Sequence, residues 1–407
     1  MAKNDFLCSL RRNKENNAMH AKGFLHKLLS PVIHKSRVKV LSEVVLAAIY
    51  SKELILTKLG RAIDANIQER SGIQKVNRLL GNKHLLKEQK IISEVIGELL
   101  IGNKKHPEII IDWSKYPNSE DAILRAALAV EGRALTLYEE RHPIKKMGNR
   151  KVQESFLKTL KEIIPMDCEP TIVTDAGFHN DWFKEVLKLG WNYVGRIRGI
   201  RKYRRLDNER FILCSRLFKQ ATTKVKSLGK MILTRKNPTE SYFYLVKGKL
   251  KGRKALTKQG KVRRDKDSKG YSRAHREPWL LASSMNGRNA AKQVERIYSR
   301  RMTIEEAFRD LKSSRYGFGL EEGKTKVKKR RDILLLIAML ASLIAWVTGL
   351  AGEKMKLHYQ FQSNSIKHRR VLSLFYLGCQ LIRKKFRIQL SLIWEVIASL
   401  KKEAIYV

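Results

Sequence analysis

Apolar residues recur three and four positions apart over Val38 to Ile49 and again over Ile91 to Leu100. That spacing places one face of an α-helix in a core. Between these stretches, Leu56 to Ile63 and Ser71 to Asn82 predict two short helices joined by a turn. The texture changes at Glu108. Short apolar runs at Ile109 to Ser114, Leu124 to Gly132 and Arg133 to Arg141 read as strands, the last two separated only by Gly132 as in a hairpin. A helix from Gln153 to Ile164 ends at Pro165, and a buried strand follows at Thr171 to Gly177. Trp182 to Leu189 predicts helix and Trp191 to Gly199 a further strand. Three strands, helix, strand, helix, strand is the order of an α/β fold whose mixed sheet carries helices on both faces.

From about Ile200 to Arg276 the pattern loosens and basic charge concentrates, and Lys247 to Lys269 reads as a loop or irregular β insertion. Glu277 to Met285 returns to strand, a single helix is expected from about Lys292 to Leu311, and two amphipathic helices, Val371 to Arg383 and Leu390 to Leu400, close the chain. The reading divides the protein into a helical region over 1–105, an α/β domain over 106–352 with an insertion at 200–276, and a helical region over 353–407.

Ile333 to Leu350 is an apolar run of 18 residues broken only by Ser342, Thr348 and Gly349. It reaches the lower limit for a membrane span. Basic residues flank it on both sides, so charge gives no orientation. A helix apolar all round also suits the middle of a large soluble domain, and that reading, with no membrane partner, is the expectation.

Charge changes the picture most. The chain has 84 Lys and Arg against 39 Asp and Glu, a net charge of +45. Such an excess repels itself unless a polyanion neutralises it, and nucleic acid is the leading candidate. Lys247 to Lys269 alone holds 11 Lys and Arg in 23 residues, as a DNA-tracking segment or a solvated linker would. In the two short helices, Gln74, Lys75, Asn77 and Arg78 fall near the start of the second helix. They could reach base edges or phosphates as a helix-turn-helix does, or form the solvated face of an ordinary helical pair. Four cysteines lie without a CxxC pair, arguing against a zinc ribbon or a disulfide framework. With no secretory signal at the N-terminus, a cytoplasmic location is expected.

Asp112 sits inside an apolar strand and Asp175 at the end of another. A buried carboxylate is costly unless it pairs with an arginine, caps a loop or ligates a cation. On the helix expected over 292–311, Tyr298, Arg301, Glu305 and Lys312 fall within about 60° of one another at 100° per residue. This polar stripe would hold Glu305 beside basic side chains suited to phosphate. Three carboxylates suit Mg2+, for which Mn2+ may substitute, and a pair of such ions can clamp the attacking and leaving oxygens of a phosphoryl transfer. No P-loop sequence is present.

The spacing Tyr298, Arg301, Glu305, Lys312, within IYSRRMTIEEAFRDLKSSRYGFGL and together with IIIDWS and IVTDAGF, resembles the YREK signature of bacterial insertion-sequence transposases of family four. The resemblance implies a ribonuclease-H-like core in which Asp112, Asp175 and Glu305 bind magnesium, with a β-rich insertion between the second Asp and the Glu. It implies a cut-and-paste transposase working as a homodimer on double-stranded DNA, on the nucleoid of a bacterial cell. By implication it nicks, forms and reopens a hairpin, and joins 3′ ends to target DNA, with Trp279 and Met302 helping to distort or flip a base. Other readings are a ribonuclease-H-like nuclease or junction resolvase that cuts without joining, a DNA-binding protein with a retired active site, and a membrane protein anchored by Ile333 to Leu350.

Overall fold

The computed structural model describes residues 21–63, 66–248, 261–262 and 277–401. The basic stretch expected to track DNA, Lys247 to Lys269, lies almost wholly outside the described residues, as does the N-terminal segment before residue 21. The chain is mixed α/β and divides into two compact units. One comprises Met1–Met147, Lys158–Cys168 and Met302–Val407, the other Gly148–Leu157 and Glu169–Arg301.

In the first unit, α1 (Lys35–Ser51), α2 (Leu56–Ala62), α3 (Glu69–Leu80), α4 (Lys83–Lys87) and α5 (Gln89–Ile101) precede three strands. These are β1 (Glu108–Lys115), β2 (Asp121–Val130) and β3 (Arg133–Pro143), paired antiparallel in the order β3-β2-β1. Ile109, Ile110 and Ile111 are wholly buried. Their branched side chains fit a pleated, enclosed surface, and this apolar run carries Asp112 at its end. The hairpin expected at Gly132 joins β2 and β3, with a bulge between Ala126 and Ala127.

The apolar run is one helix, α10 (Lys328–Lys354), long enough to cross a membrane by length and composition, yet 89% of its most apolar window is buried within the protein. Its neighbours are α1, β3 and the closing helices α11 (Leu374–Arg383) and α12 (Leu390–Lys401). Small residues let α10 and α11 touch. A Cβ on Gly378 would lie 1.7 Å from the carbonyl oxygen of Ala345, and one on Gly349 would lie 1.9 Å from that of Leu374. The start of α10 is clamped to the strands by charge: Arg331 and Arg141 both reach the buried Asp121 (2.8 and 3.0 Å), and Arg141 also holds Asp332 at 2.7 Å. Apolar enclosure, with Arg331 paired to Asp121 and Asp332 to Arg141, accounts for how so hydrophobic a helix packs inside this unit.

The second unit holds β4 (Thr171–Thr174), α7 (Asn180–Lys188), β5 (Asn192–Ile197), β6 (Lys202–Arg205), β7 (Ile212–Leu213), β8 (Lys226–Leu233), β9 (Thr239–Val246), β10 (Trp279–Ser283) and α8 (Ala290–Ser299). The helix α6 (Arg150–Ile163) precedes β4 and lends residues to both units. The strand order is β4-β5-β10-β9-β8-β6-β7. β4 and β5 are parallel with α7 as their crossover, while β10 pairs antiparallel with β5 and β9, β8 with β9 and β6, and β6 with β7. Within residues 202–246, where the resemblance implies a β-rich insertion, β6 to β9 are regular strands and Cys214–Gln220 is a short 3-10 helix. Val246, Leu245 and Phe243 of β9 are buried, but interleaved charges such as Lys226 and Lys230 on β8 blur the two-residue alternation.

Candidate active site

Asp112 is half-buried on β1, opposite Arg125 of β2 in the register. Its Oδ1 accepts the backbone N–H of Trp113 at 2.8 Å. The helix α9 (Met302–Lys312) lies against these strands. It docks through Phe308, whose ring has the guanidinium of Arg125 at 4.4 Å on its face and the ammonium of Lys312 at 5.5 Å. Arg125 is itself buried and paired with Glu139 of β3 at 2.7 Å. The ammonium of Lys312 donates to Ser114 Oγ at 2.7 Å, on the strand that carries Asp112. Burial, with help from Arg125, pushes this ammonium down to about 8, while Asp112 pulls the other way. Glu305 stands exposed in the first turn of α9. At 3.6 residues per turn it shares a face with Lys312, two turns on.

The arrangement departs from the single helix expected over 292–311. The chain breaks at Arg300 and Arg301, whose amides close three-residue turns onto Ile297 and Tyr298, and Ser299 Oγ bonds the carbonyl of Arg296 at 2.6 Å. Tyr298 therefore belongs to α8 and Arg301 to the turn, so the four residues do not share one helical face. Tyr298 is only 3% exposed, where the stripe had placed it on a polar edge.

In the second unit, Asp175 follows the buried strand β4, and its Oδ1 accepts the N–H of Gly177 at 2.8 Å. Burial pushes the Tyr298 hydroxyl up, Arg301 and Arg196 pull it down, and Asp175 adds to the rise. These groups thus share one electrostatic neighbourhood. Trp279 of β10 meets Tyr298 edge to face with ring centroids 5.0 Å apart, the geometry aromatic quadrupoles favour. Met302 opens α9 and is exposed. Sequence reasoning missed Arg125, Arg196 and Ser114. The signal for the two arginines was there, a charge inside an apolar strand, the same signal that drew attention to Asp112.

The paired helices also need correction. α3 begins at Glu69, so Gln74, Lys75, Asn77 and Arg78 lie in its middle and last turns, not near its start. Lys75 is turned to Glu43 at 3.0 Å and half-buried, whereas Arg70, Gln74, Asn77 and Arg78 are exposed. α2 and α3 cross closely, since a Cβ on Gly72 would lie 2.4 Å from the carbonyl oxygen of Gly60.

Residues 141–343 match the transposase DDE domain family. The protein is a DDE transposase. The transposase is also similar in part to a cryo-EM structure of a piggyBac transposase synaptic complex with hairpin DNA, at a TM-score of 0.41 and 12% identity, over 91% of this chain and 71% of that one. No curated protein sequence matches it. Asp175, Trp279, Tyr298, Arg301, Met302, Glu305 and Lys312 of the transposase fall inside the matched span, and Lys75, Arg78 and Asp112 before it.

DDE transposases use divalent metal ions. Asp112 and Glu305 lie on the first unit and Asp175 on the second, and each carries the hard carboxylate oxygens that such ions prefer. Among the described residues no group of three or more His, Cys, Asp or Glu side chains is gathered tightly enough to hold a metal ion.

Proposed function

We propose that this DDE transposase is a cut-and-paste enzyme of insertion-sequence family four, akin to the transposase of transposon ten. In this reading Asp112, Asp175 and Glu305 hold Mg2+ or Mn2+ in a ribonuclease-H-like core. The strand and helix order β1-β2-β3-α6-β4-α7-β5 supports that fold. The observation that carries the reading is the bond from Lys312 to Ser114. It sets a cation from the helix of Glu305 beside the strand of Asp112, where a substrate phosphate would be met.

The metal, when bound, supplies charge to the attacking and leaving oxygens of an in-line transfer. The protein's own groups do the positioning. Lys312 holds a phosphate oxygen, and Arg301 neutralises charge near Asp175. Trp279 offers a face to an unstacked base, helped by Met302, as the strand passes through a hairpin. The enzyme nicks, the freed 3′ hydroxyl attacks the opposite strand, the hairpin reopens, and the 3′ ends join target DNA. We assign the helical region 1–105 to recognition of terminal repeats, 106–352 to catalysis with the insertion 200–276, and 353–407 to support. The working species is a homodimer on paired ends in a bacterial cytoplasm.

The second reading, a nuclease or junction resolvase that cuts without joining, uses the same carboxylates. A strand-transfer assay with a pre-cut 3′ end and a plasmid target separates the two. Joined product in the presence of Mg2+ is expected, and cleavage with no joined product under any divalent metal favours the nuclease.

A further inference from the structure

The turn after β5 presents an unusual side chain. Ile200 is 80% exposed, the most exposed large apolar residue among the described residues of its unit. Exposing an isoleucine to water is unfavourable. The turn is braced from three sides. Arg201 N–H closes it onto the Arg198 carbonyl at 3.0 Å, Ser215 N–H donates to the carbonyl of Gly199 at 3.0 Å, and Cys214 N–H donates to that of Arg201 at 2.8 Å. Gly199 lies so close to Phe218 that a Cβ would come within 2.9 Å of its ring. The isoleucine is therefore held out on a stiff support.

Its flanks are cationic. Arg198 is exposed, and Arg201 sits 3.0 Å from the ring of His179. Burial and the charge of Arg201 keep that imidazole below its usual range. Both arginines line a groove of about 760 Å³ that also takes in Lys184, Arg196 and Lys236, with Arg150 and Lys188 paired to Glu185 within it, and reaches Ala176, the residue after Asp175. A rigid apolar tip whose sequence neighbours Arg198 and Arg201 line a net cationic groove matches the chemistry of proteins that unstack and kink a duplex with an aliphatic side chain while holding the neighbouring phosphates.

We propose that Ile200 is a wedge that enters a base step of bound duplex DNA, with Arg198 and Arg201 on the flanking phosphates. The proposal rests on the reading that this chain binds DNA duplexes.

The test uses the full chain and duplexes drawn from the DNA that flanks its reading frame, with 2-aminopurine placed at successive positions. Binding is read by anisotropy and unstacking by 2-aminopurine emission. One position should brighten on binding wild-type protein, and Ile200→Ala should return it to the level of free duplex while the complex still forms. Met166→Ala, at an apolar residue that is 100% exposed but neighbours Asp167, should leave the brightening intact. Because Ile200 is exposed, its truncation should not shift the melting temperature. Brightening that persists in Ile200→Ala, or binding with no brightened position, overturns the wedge and leaves DNA binding standing. Failure of the wild type to bind any duplex overturns both.

Discussion

Lys312 donates a 2.7 Å hydrogen bond to Ser114, two residues beyond Asp112. The bond ties the last turn of α9 to the strand that carries Asp112, a proposed metal ligand. The lysine keeps its charge at neutral pH, since burial brings it only to about 8. A flexible stem is fixed at its end, so little side-chain freedom remains to be lost when phosphate arrives.

Ser114→Ala removes the acceptor without emptying a core site. A loss of about 1 kcal/mol is expected, or roughly fivefold in the single-turnover cleavage rate at saturating DNA. Lys312→Ala should lower the same rate by more than about tenfold, through loss of a charge-assisted phosphate contact. DNA affinity, read by anisotropy, should move far less in Ser114→Ala than in Lys312→Ala.

Arg125 and Glu139 form a buried pair, with side chains only 4% and 6% exposed. Breaking it with Arg125→Met leaves a carboxylate stranded among β1, β2 and β3. Urea unfolding should show a loss of about 3–5 kcal/mol, and adding Glu139→Gln should recover part of it. Equal stability of the single variant and the wild type would mean the pair does not hold the strands.

Asp310 gives a pH signature. Burial pushes its carboxyl up to about 6 even though Arg133 lies 2.6 Å away. Between about pH 4, the ordinary carboxylate range, and pH 6, the folded chain keeps a proton that the unfolded chain has released. Stability should therefore fall as pH rises through that window. The fall should be absent in Asp310→Asn, as urea midpoints taken across the window would show.

Much of the fold could be read from the sequence because each signal was local. The apolar run of Ile109 to Ile111, the turn glycine at 132 and the crossover around β4 and β5 are all set by near neighbours. The boundary at Arg300 was not legible. It depends on turn closure by Ser299 and its neighbours, while the periodicity of Ile297, Ile304, Phe308 and Leu311 runs through it unbroken. The candidate site divides the same way. Asp112 stood out as a carboxylate inside an apolar strand and Asp175 as one at the end of another, but Ser114 carries no such mark, and only the approach of Lys312 from almost two hundred residues away reveals it.

The exposed face of α3 makes a separate prediction. Arg78→Ala should weaken binding to DNA carrying the element's ends and reduce the salt dependence of affinity by about one phosphate contact. Lys75→Ala should act mainly by releasing Glu43, and so shift thermal stability more than the salt slope.

The carboxylate triad is the centre of the account, and Mg2+-dependent cleavage of an end-bearing duplex by Asp112→Ala, Asp175→Ala and Glu305→Ala tests it most directly. Each variant should bind the duplex and fail to cut it. Cleavage at the wild-type rate by any one of them would contradict the assignment of that residue, and cleavage by all three would overturn the triad.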